Sequence, residues 1–182
     1  MTHPDLSLRD FTGDGYERGR SILVQIAWLA VRSPLSWWCV PAAVRVKVLR
    51  LFGSVIGEGV LIRHGVRIHW PWKLSVGDNC WIGESCWILN LEPIRLGSNV
   101  CISQGALLCS GSHQRMSPTF EFDNAPIEIR DRAWVGARAV ILRGVVLNER
   151  SVVGANAVVH KDVEAGAVVI ASSRQVDVTG DE

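Results

Sequence analysis

An aliphatic residue followed by a small residue recurs every six positions from Ile56 to near the end of this 182-residue chain. The segments 82–87 and 153–158 are two copies, each with Gly at the second place and a small residue at the fifth. An amphipathic helix needs apolar spacing near 3.6 and a half-buried strand needs a spacing of 2, so neither fits this period. A fixed short period instead predicts identical structural units that stack on one another.

Each unit suits a short extended segment and a corner, with a large side chain at position one and a smaller one at position five pointing inward. Three units would close a turn of roughly 18 residues, and turns would stack at the ~4.8 Å spacing of neighbouring strands. Each buried Ile, Leu or Val contributes roughly 1.5–3 kcal/mol, so stacked columns form a continuous core. The sequences Gly77-Asp78-Asn79 and Gly97-Ser98-Asn99 are expected at corners, because these residues tolerate a positive φ.

The period has interruptions that predict the organisation of the chain. Two-residue slips are expected near Leu74-Ser75 and between Ile88 and Leu96, and a longer excursion covers 114–126. We expect an N-terminal helical appendage at 1–53, a solenoid domain at 54–176 and a tail at 177–182.

Toward the C-terminus the period is expected to continue without a slip. Position five then falls on Val163 and Val169, and position one falls on Ala165 and Ala171.

The first 53 residues lack the period and predict helices instead. Ser21 to Val31 is expected to be a helix that ends before Ser33-Pro34, and Ala42 to Phe52 a second helix that Gly53 terminates. The apolar face of the second helix is expected to comprise Val44, Val48, Leu51 and Phe52. Covering the open first coil is the favoured role, because solenoids need capping. The alternative is peripheral membrane contact through these helices, assisted by Arg45, Lys47 and Arg50.

Composition excludes some classes of function. A net charge of +1 gives no case for binding nucleic acid. The apolar run 22–31, interrupted by Gln25, is too short to span a bilayer. Five cysteines without CxxC spacing predict neither a disulfide frame nor a metal site, and Cys80 and Cys86 are expected as buried thiols. A cytoplasmic location follows, with membrane association left open.

In this pattern the chain resembles the hexapeptide-repeat acyltransferases, and within them the sugar O-acetyltransferases of the colanic-acid-biosynthesis type. The repeat pattern carries the resemblance from Ile56 to Val169, and its sharpest marks are the segments 72–79, 102–105, 110–113 and 159–163. The resemblance implies an all-β solenoid, a left-handed parallel β-helix with a short N-terminal helical appendage. Periodicity alone does not set this hand, because the general crossover rule favours the right hand. The family also implies a homotrimer, a saccharide acceptor, and acetyl-CoA bound in a groove between adjacent subunits.

His113 stands at an outward position where the repeat breaks, immediately before the excursion. In the family that the chain resembles, a histidine at such a loop acts as the general base, and His113 is the residue that matches. Imidazole titrates in the range needed to take a proton from an attacking hydroxyl. The thioester already carries a good leaving group, so direct transfer needs no covalent acyl-enzyme. The alternative is an ordinary loop histidine without a catalytic role.

The resemblance assigns further residues to binding. Asn90 matches a polar acceptor-site position, and Trp134 matches an aromatic at the acceptor or cofactor groove. A corner asparagine and a tryptophan packed between subunits are the alternatives. The positions that match coenzyme A contacts are Ala137, Ala155, His160 and Lys161.

Two departures from the family affect the cofactor groove. His160 stands where Thr is usual, and Ala171-Ser172-Ser173-Arg174 replaces the usual Gly-Asn-Pro-Ala. Lys161 would meet a phosphate as a point charge, and Arg174 is a further candidate for a phosphate contact.

Rival functions stay open at this point. A metal-dependent hydratase of the carbonic-anhydrase type would need three histidines from neighbouring prisms, for which His64 and His69 are candidates. A non-catalytic trimeric scaffold is a second rival, and the acceptor of an enzyme could be an amino sugar or a small xenobiotic. The tryptophans suited either to sugar stacking or to subunit packing are Trp70, Trp72, Trp81 and Trp87.

Overall fold

A computed structural model describes residues 6–171, and most of them form a three-sided solenoid of parallel strands. Face 1 contains β1 (Val55–Ile56), β4 (Leu74–Val76), β7 (Ile94–Leu96), β10 (Ile127–Ile129) and β13 (Val146–Leu147). Face 2 contains β2 (Leu61–Ile62), β5 (Trp81–Ile82), β8 (Cys101–Ile102), β11 (Trp134–Val135), β14 (Val152–Val153) and β16 (Val168–Val169). Face 3 contains β3 (Arg67–Ile68), β6 (Trp87–Leu89), β9 (Leu107–Cys109), β12 (Val140–Leu142) and β15 (Val158–Val159). The predicted all-β parallel solenoid is confirmed.

Successive strands of each face belong to successive coils. Coil 1 runs from β1 to β3, coil 2 from β4 to β6, coil 3 from β7 to β9, coil 4 from β10 to β12 and coil 5 from β13 to β15. The pairing is in register, since Ile82 pairs with Ile102 and Ile102 pairs with Val135. Position-one side chains therefore stack in buried columns, and Cys80 and Cys86 are buried free thiols at position five, as predicted.

The corners confirm part of the expected conformation. Asn79 and Asn99 adopt positive φ values of 56° and 59°. Gly77 does not adopt a left-handed φ, and it is required for another reason. A Cβ at Gly77 would lie 2.6 Å from the carbonyl carbon of Gly97 in the next coil. Glycine at this place therefore permits the close approach of two backbones.

The prediction for the C-terminal coil is wrong. Leu147 bridges to Val163, and Val153 pairs with Val169, so both valines continue the position-one columns. Ala165 and Ala171 are exposed instead. The corner after β15 is shorter than the period requires, because burying the valine side chains removes more apolar surface from water than burying the alanines.

The N-terminal region consists of an extended arm and two helices. The arm, residues 6–20, includes a 3₁₀ turn at Leu8–Asp10, and α1 (Ile22–Leu35) and α2 (Ala42–Leu51) follow. Helix α1 passes through Pro34, so the predicted end before Ser33-Pro34 is wrong. A proline in the last turn removes only one backbone hydrogen bond, and α1 ends one residue later.

Helix α2 packs on β1 and β2 and so covers coil 1. Its buried residues are Arg45, Val46 and Leu49, whereas Val44 and Leu51 of the predicted apolar face are exposed. Tertiary hydrogen bonds override the apolar pattern here, because the Arg45 guanidinium donates to the backbone carbonyls of Leu35, Trp37 and Ile62.

Two of the three basic residues suggested for membrane contact already bind carbonyl groups of the protein. Arg45 is buried, and Arg50 donates to the carbonyls of Ile56 and Gly57. Within residues 6–171, neither helix has the length and apolar character needed to cross a bilayer.

Candidate functional site

His113 lies at the corner where face 3 turns into face 1, which we call corner 3/1. The chain leaves β9, makes the long excursion and returns at β10. His113 forms an antiparallel bridge with Phe122, so the excursion begins and ends side by side. An open depression at this corner is lined by Ser112, His113, Gln114, Arg115, Met116, Ser117, Asp123 and Arg143.

The imidazole of His113 is held in one tautomer. Its Nδ1 lies 2.8 Å from the carbonyl oxygen of Phe120. A carbonyl oxygen only accepts hydrogen bonds, so Nδ1 carries the proton and the neutral ring keeps a lone pair on Nε2. This is the state that a general base requires.

Aromatic rings fix the orientation of this imidazole. The Phe120 ring stacks on His113 with centroids 4.4 Å apart and an interplanar angle of 6°, and Phe122 stacks at 5.1 Å. Phe120 adopts a φ of 54°, which is uncommon for a bulky residue and costs free energy. The strained backbone brings both the ring and the carbonyl of Phe120 to His113.

The N-terminal arm braces the same excursion. Backbone N–H groups of Thr12 and Gly13 donate to the two carboxylate oxygens of Glu121 at 3.0 and 3.1 Å. The ring of Phe11 meets the His113 ring edge-on at a centroid distance of 5.7 Å. The hydrogen bond from the Thr12 N–H is the largest cause that lowers the pKa of Glu121.

Sequence reasoning missed the residues that brace His113. The one signal available was the sequence Phe120-Glu121-Phe122, an aromatic pair inside an otherwise polar excursion. Nothing local in the sequence indicated that Phe11, more than 100 positions away, would reach the imidazole.

Asn90 lies at corner 3/1, fully buried and one coil before His113. Its Oδ1 accepts the N–H of Trp70 at 2.9 Å, and its Nδ2 donates to the Trp70 carbonyl. Both ends of the amide are thus used by one backbone unit of the preceding coil. These contacts favour the corner role over the acceptor-binding role.

Trp134 and two of the cofactor candidates lie elsewhere on the prism. Trp134 projects from face 2, is 51% exposed, and donates from Nε1 to Ser103 Oγ at 2.9 Å. Ala137 and Ala155 stack at the corner between faces 2 and 3, which we call corner 2/3, where Asn156 N–H donates to the Ala137 carbonyl at 2.9 Å. Their small side chains leave the coil backbone accessible to a flexible chain.

His160 and Lys161 are exposed at corner 3/1, two coils beyond His113, and Arg174 lies outside the described residues. One protomer therefore places His113, His160 and Lys161 along one corner and the two alanines along the other. Face 3 lies between these corners, so a cofactor touching both sets must cross face 3 or bridge two protomers.

The outward surfaces of the three faces differ in polarity. Face 2 presents Leu61, Trp81, Cys101, Trp134, Val152 and Val168, and face 3 presents Arg67, Trp87, Leu107, Val140 and Val158. Face 1 presents Val55, Ser75, Arg95, Glu128 and Val146, three of which are polar. Trp70 is buried and Trp72 is partly buried with its Nε1 bonded to the Arg18 carbonyl, so Trp81 and Trp87 are the more accessible of the four tryptophans considered above.

The two histidines considered as metal ligands lie at different corners. His64 is at corner 2/3 with its Nδ1 3.7 Å from Glu84 Oε1, and His69 follows β3 at corner 3/1. In residues 6–171, no three His, Cys, Asp or Glu side chains are grouped as a metal site.

Known proteins share this sequence pattern. The family model described as bacterial transferase hexapeptide (six repeats) matches residues 126–161, and the hexapeptide repeat of succinyl-transferase matches 73–109. The putative colanic acid biosynthesis acetyltransferase WcaF of Escherichia coli (strain K12) is 36% identical over 156 residues, 85% of each chain. The galactoside O-acetyltransferase of Escherichia coli (strain K12) is 24% identical over 127 residues, which cover 68% of this chain and 63% of the relative.

The fold is shared with a solved structure. A hexapeptide-repeat containing acetyltransferase of Vibrio cholerae O1 biovar eltor, crystallised with acetyl coenzyme A, superposes with a TM-score of 0.77 at 22% identity. The superposition covers 91% of this chain and 94% of the other. At this identity the likeness demonstrates a common solenoid.

Proposed function

Because the chain belongs to the hexapeptide-repeat acetyltransferase family, we propose that it transfers an acetyl group from acetyl-CoA to a saccharide hydroxyl during polysaccharide biosynthesis. The names of two relatives support a saccharide acceptor, since one refers to colanic acid and the other to galactosides. The acetyl-CoA complex of the Vibrio cholerae enzyme supports the donor. The chemistry then has to be performed by side chains at the surface of the solenoid.

His113 is the general base of this proposal. Its Nε2 takes the proton of the acceptor hydroxyl while the oxygen attacks the thioester carbonyl carbon. The C–S bond breaks, the ester forms, and the departing thiolate receives a proton. The observation that carries the assignment is the Nδ1–H bond to the Phe120 carbonyl, because it leaves the Nε2 lone pair available.

The proposed cofactor groove runs along the solenoid axis, because its candidate residues belong to successive coils. His113 ends coil 3, Ala137 belongs to coil 4, Ala155 to coil 5, and His160 and Lys161 end coil 5. The acetyl end of acetyl-CoA would lie at His113 and the phosphates at Lys161. Trp134 would border this groove from face 2.

A homotrimer is the proposed assembly. Faces 2 and 3 carry apolar outward columns, whereas face 1 is more polar. A three-fold arrangement that sets face 3 of one protomer beside face 2 of the next would cover part of both apolar faces. It would thereby bring His113 and Trp134 of different protomers to the same groove. The free thiols Cys80 and Cys86 support our proposal of a cytoplasmic location.

The substitution His113→Ala tests the proposal. Turnover should fall about 100-fold or more, because general base catalysis is lost, while acetyl-CoA still binds. Coenzyme A release and calorimetric binding of acetyl-CoA measure the two quantities. His64→Ala, at corner 2/3, is the matched control and should retain full turnover. An unchanged turnover in His113→Ala refutes the assignment of the base.

The acceptor class requires its own experiment. Coenzyme A release is measured over a panel of nucleotide sugars, lipid-linked oligosaccharides, free saccharides and amino sugars. Activity confined to amino groups would contradict O-acetylation. A protein that binds no acetyl-CoA would fit the scaffold alternative, and stoichiometric zinc after metal-replete purification would fit the hydratase.

A further inference from the structure

A cavity of about 470 Å³ lies between α1, α2 and the outward side of face 3 in coils 1 and 2. This volume is within the range of small-molecule binding sites. The lining residues that matter below are Trp28, Arg32, Arg67, His69, Trp87 and Leu89. None of the residues assigned above to catalysis or cofactor binding lines this cavity.

The charge of the cavity is positive and uncompensated. Three arginines line it, and no Asp or Glu does. Arg45 is occupied by backbone carbonyls, but neither Arg32 nor Arg67 forms an ion pair with any residue that the structure describes. Arginine beside an apolar wall is a strong binder of carboxylate and phosphate groups.

His69 reports the same electrostatic environment. Burial first, and then the charges of Arg32, Lys73 and Arg18, lower the pKa of His69 to about 4. The imidazole is therefore neutral near pH 7, which leaves the positive charge to the arginines. An anion in the cavity would reduce this repulsion and raise the pKa of His69.

An arginine and an indole lie together on the outer side of the cavity, and a second, buried indole closes its inner side. The guanidinium of Arg67 lies over one face of the Trp87 ring, 4.2 Å from its centroid, so the indole holds the cation in place. Trp28 is buried, and its Nε1 donates to the His69 carbonyl at 2.8 Å, which fixes the inner wall. A carboxylate or phosphate on a sugar ring pairs well with guanidinium groups, and the indole beside them borders the apolar part of the ring.

The cavity lies in the coils that precede His113 along the solenoid. Strand β6 pairs with β9 with Leu89 opposite Cys109, so the cavity is one coil, about 5 Å, from the strand that leads to His113. The proposed cofactor residues lie in coils 4 and 5, on the other side of His113 along the axis. The base therefore stands between this cavity and the proposed cofactor groove.

We propose that this cavity binds an anionic ring of the saccharide acceptor, with Arg32 and Arg67 contacting its carboxylate or phosphate beside the Trp87 indole. The hydroxyl to be acetylated belongs to this ring or to the adjoining one. The direction toward His113 rests on the proposed function, whereas binding of the anionic ring does not.

Binding is tested first without catalysis, in the His113→Ala protein. Methyl β-glucuronide, methyl β-glucoside and glucose 6-phosphate are titrated while NMR follows the ring protons of His69. At least one anionic sugar should bind about tenfold or more tightly than the glucoside, and should raise the pKa of His69. The tighter of the two anionic sugars identifies carboxylate or phosphate as the recognised group.

Charge variants then locate the anion. The double substitution Arg32→Gln with Arg67→Gln should reduce the affinity for the anionic sugar to that for the glucoside. Arg95→Gln is the matched control, since Arg95 also projects outward from a strand but belongs to face 1. Equal affinities for charged and neutral sugars, or an equal loss in the Arg95 variant, would overturn the proposal. Inorganic phosphate that competes as well as glucose 6-phosphate would also overturn it, because no ring would then be recognised.

Turnover separates this inference from the proposed function. If the anionic sugar binds but no acetyl transfer to any saccharide is found, the cavity stands and the proposed function fails. If transfer occurs with equal kcat/KM for matched charged and neutral acceptors, the proposed function stands and the cavity proposal fails.

Discussion

The coils of the solenoid and the region around His113 are held together by different kinds of contact. In the coils, parallel strands pair in register and aliphatic side chains such as Ile102 and Ile141 are buried in columns. Around His113, single contacts join distant parts of the chain, such as Glu121 to the arm and Phe120 to the imidazole. The first region is a repeated scaffold, and the second is assembled from individual side chains.

This difference separates stability from activity. A repeated core distributes its free energy over many equivalent columns, and each coil supports its neighbours. The His113 region has few buried aliphatic side chains, so substitutions there should alter the geometry of the proposed base more than the free energy of unfolding. Functional groups on loops above a rigid scaffold follow the same division.

The largest expected effect on stability is in the columns. Ile141→Ala removes a fully buried side chain and should lower the free energy of unfolding by about 2–5 kcal/mol. Val55→Ala, on face 1 and 69% exposed, is the control and should change it by less than about 0.5 kcal/mol. Urea unfolding measures both. Equal losses would show that the columns are not the source of stability.

The bracing of His113 predicts an effect on turnover instead. Glu121→Gln weakens the contacts with Thr12 and Gly13, and kcat should fall about threefold to tenfold because the base is less well oriented. The unfolding midpoint should stay unchanged. Glu128→Gln, an acidic residue on face 1 paired with Arg130, is the control and should keep full turnover. A Glu121 variant with normal kcat would disprove the bracing role.

The same contact predicts a pH dependence. Hydrogen bonds lower the pKa of Glu121 below its ordinary value of 4.5, so the ionised form is favoured in the folded protein. The contact is therefore complete above the ordinary pKa and is lost as the pH falls through the lowered value. The amide shifts of Thr12 and Gly13 in NMR should titrate with a midpoint below 4.5. A midpoint above that value would contradict the hydrogen bonds.

The smallest effect on stability is expected at a buried polar group of the core. Ser151 is fully buried at position five, and its hydroxyl has no hydrogen-bond partner among the described residues. Ser151→Ala should stabilise the protein by about 0.5–2 kcal/mol, because an unsatisfied hydroxyl is removed from the core. Ala157→Ser, at the next corner, should destabilise it for the opposite reason. Thermal unfolding measures both, and a loss of stability in Ser151→Ala would indicate an unrecognised partner.

Much of the scaffold could be predicted from the period of six. The stacking of Ile82 on Ile102 follows from it, because identical units bury identical positions. The period failed where a corner changed length, at Val163, since a local sequence does not reveal which of two small apolar residues the next coil will cover. It also failed for Arg45, because a buried guanidinium depends on carbonyl groups that only the folded chain brings together.

By itself, the sequence determined the three-sided stack and the place of His113 at the break in the repeat, because both depend on spacing along the chain. Only the tertiary structure decided the tautomer of that histidine, the bracing by Phe11 and Glu121, and the hydrogen bonds of Asn90 to the Trp70 backbone. These depend on contacts between segments far apart in sequence, which a repeat does not encode. The cationic cavity between α1 and face 3 belongs to the same class, since no single segment contains it.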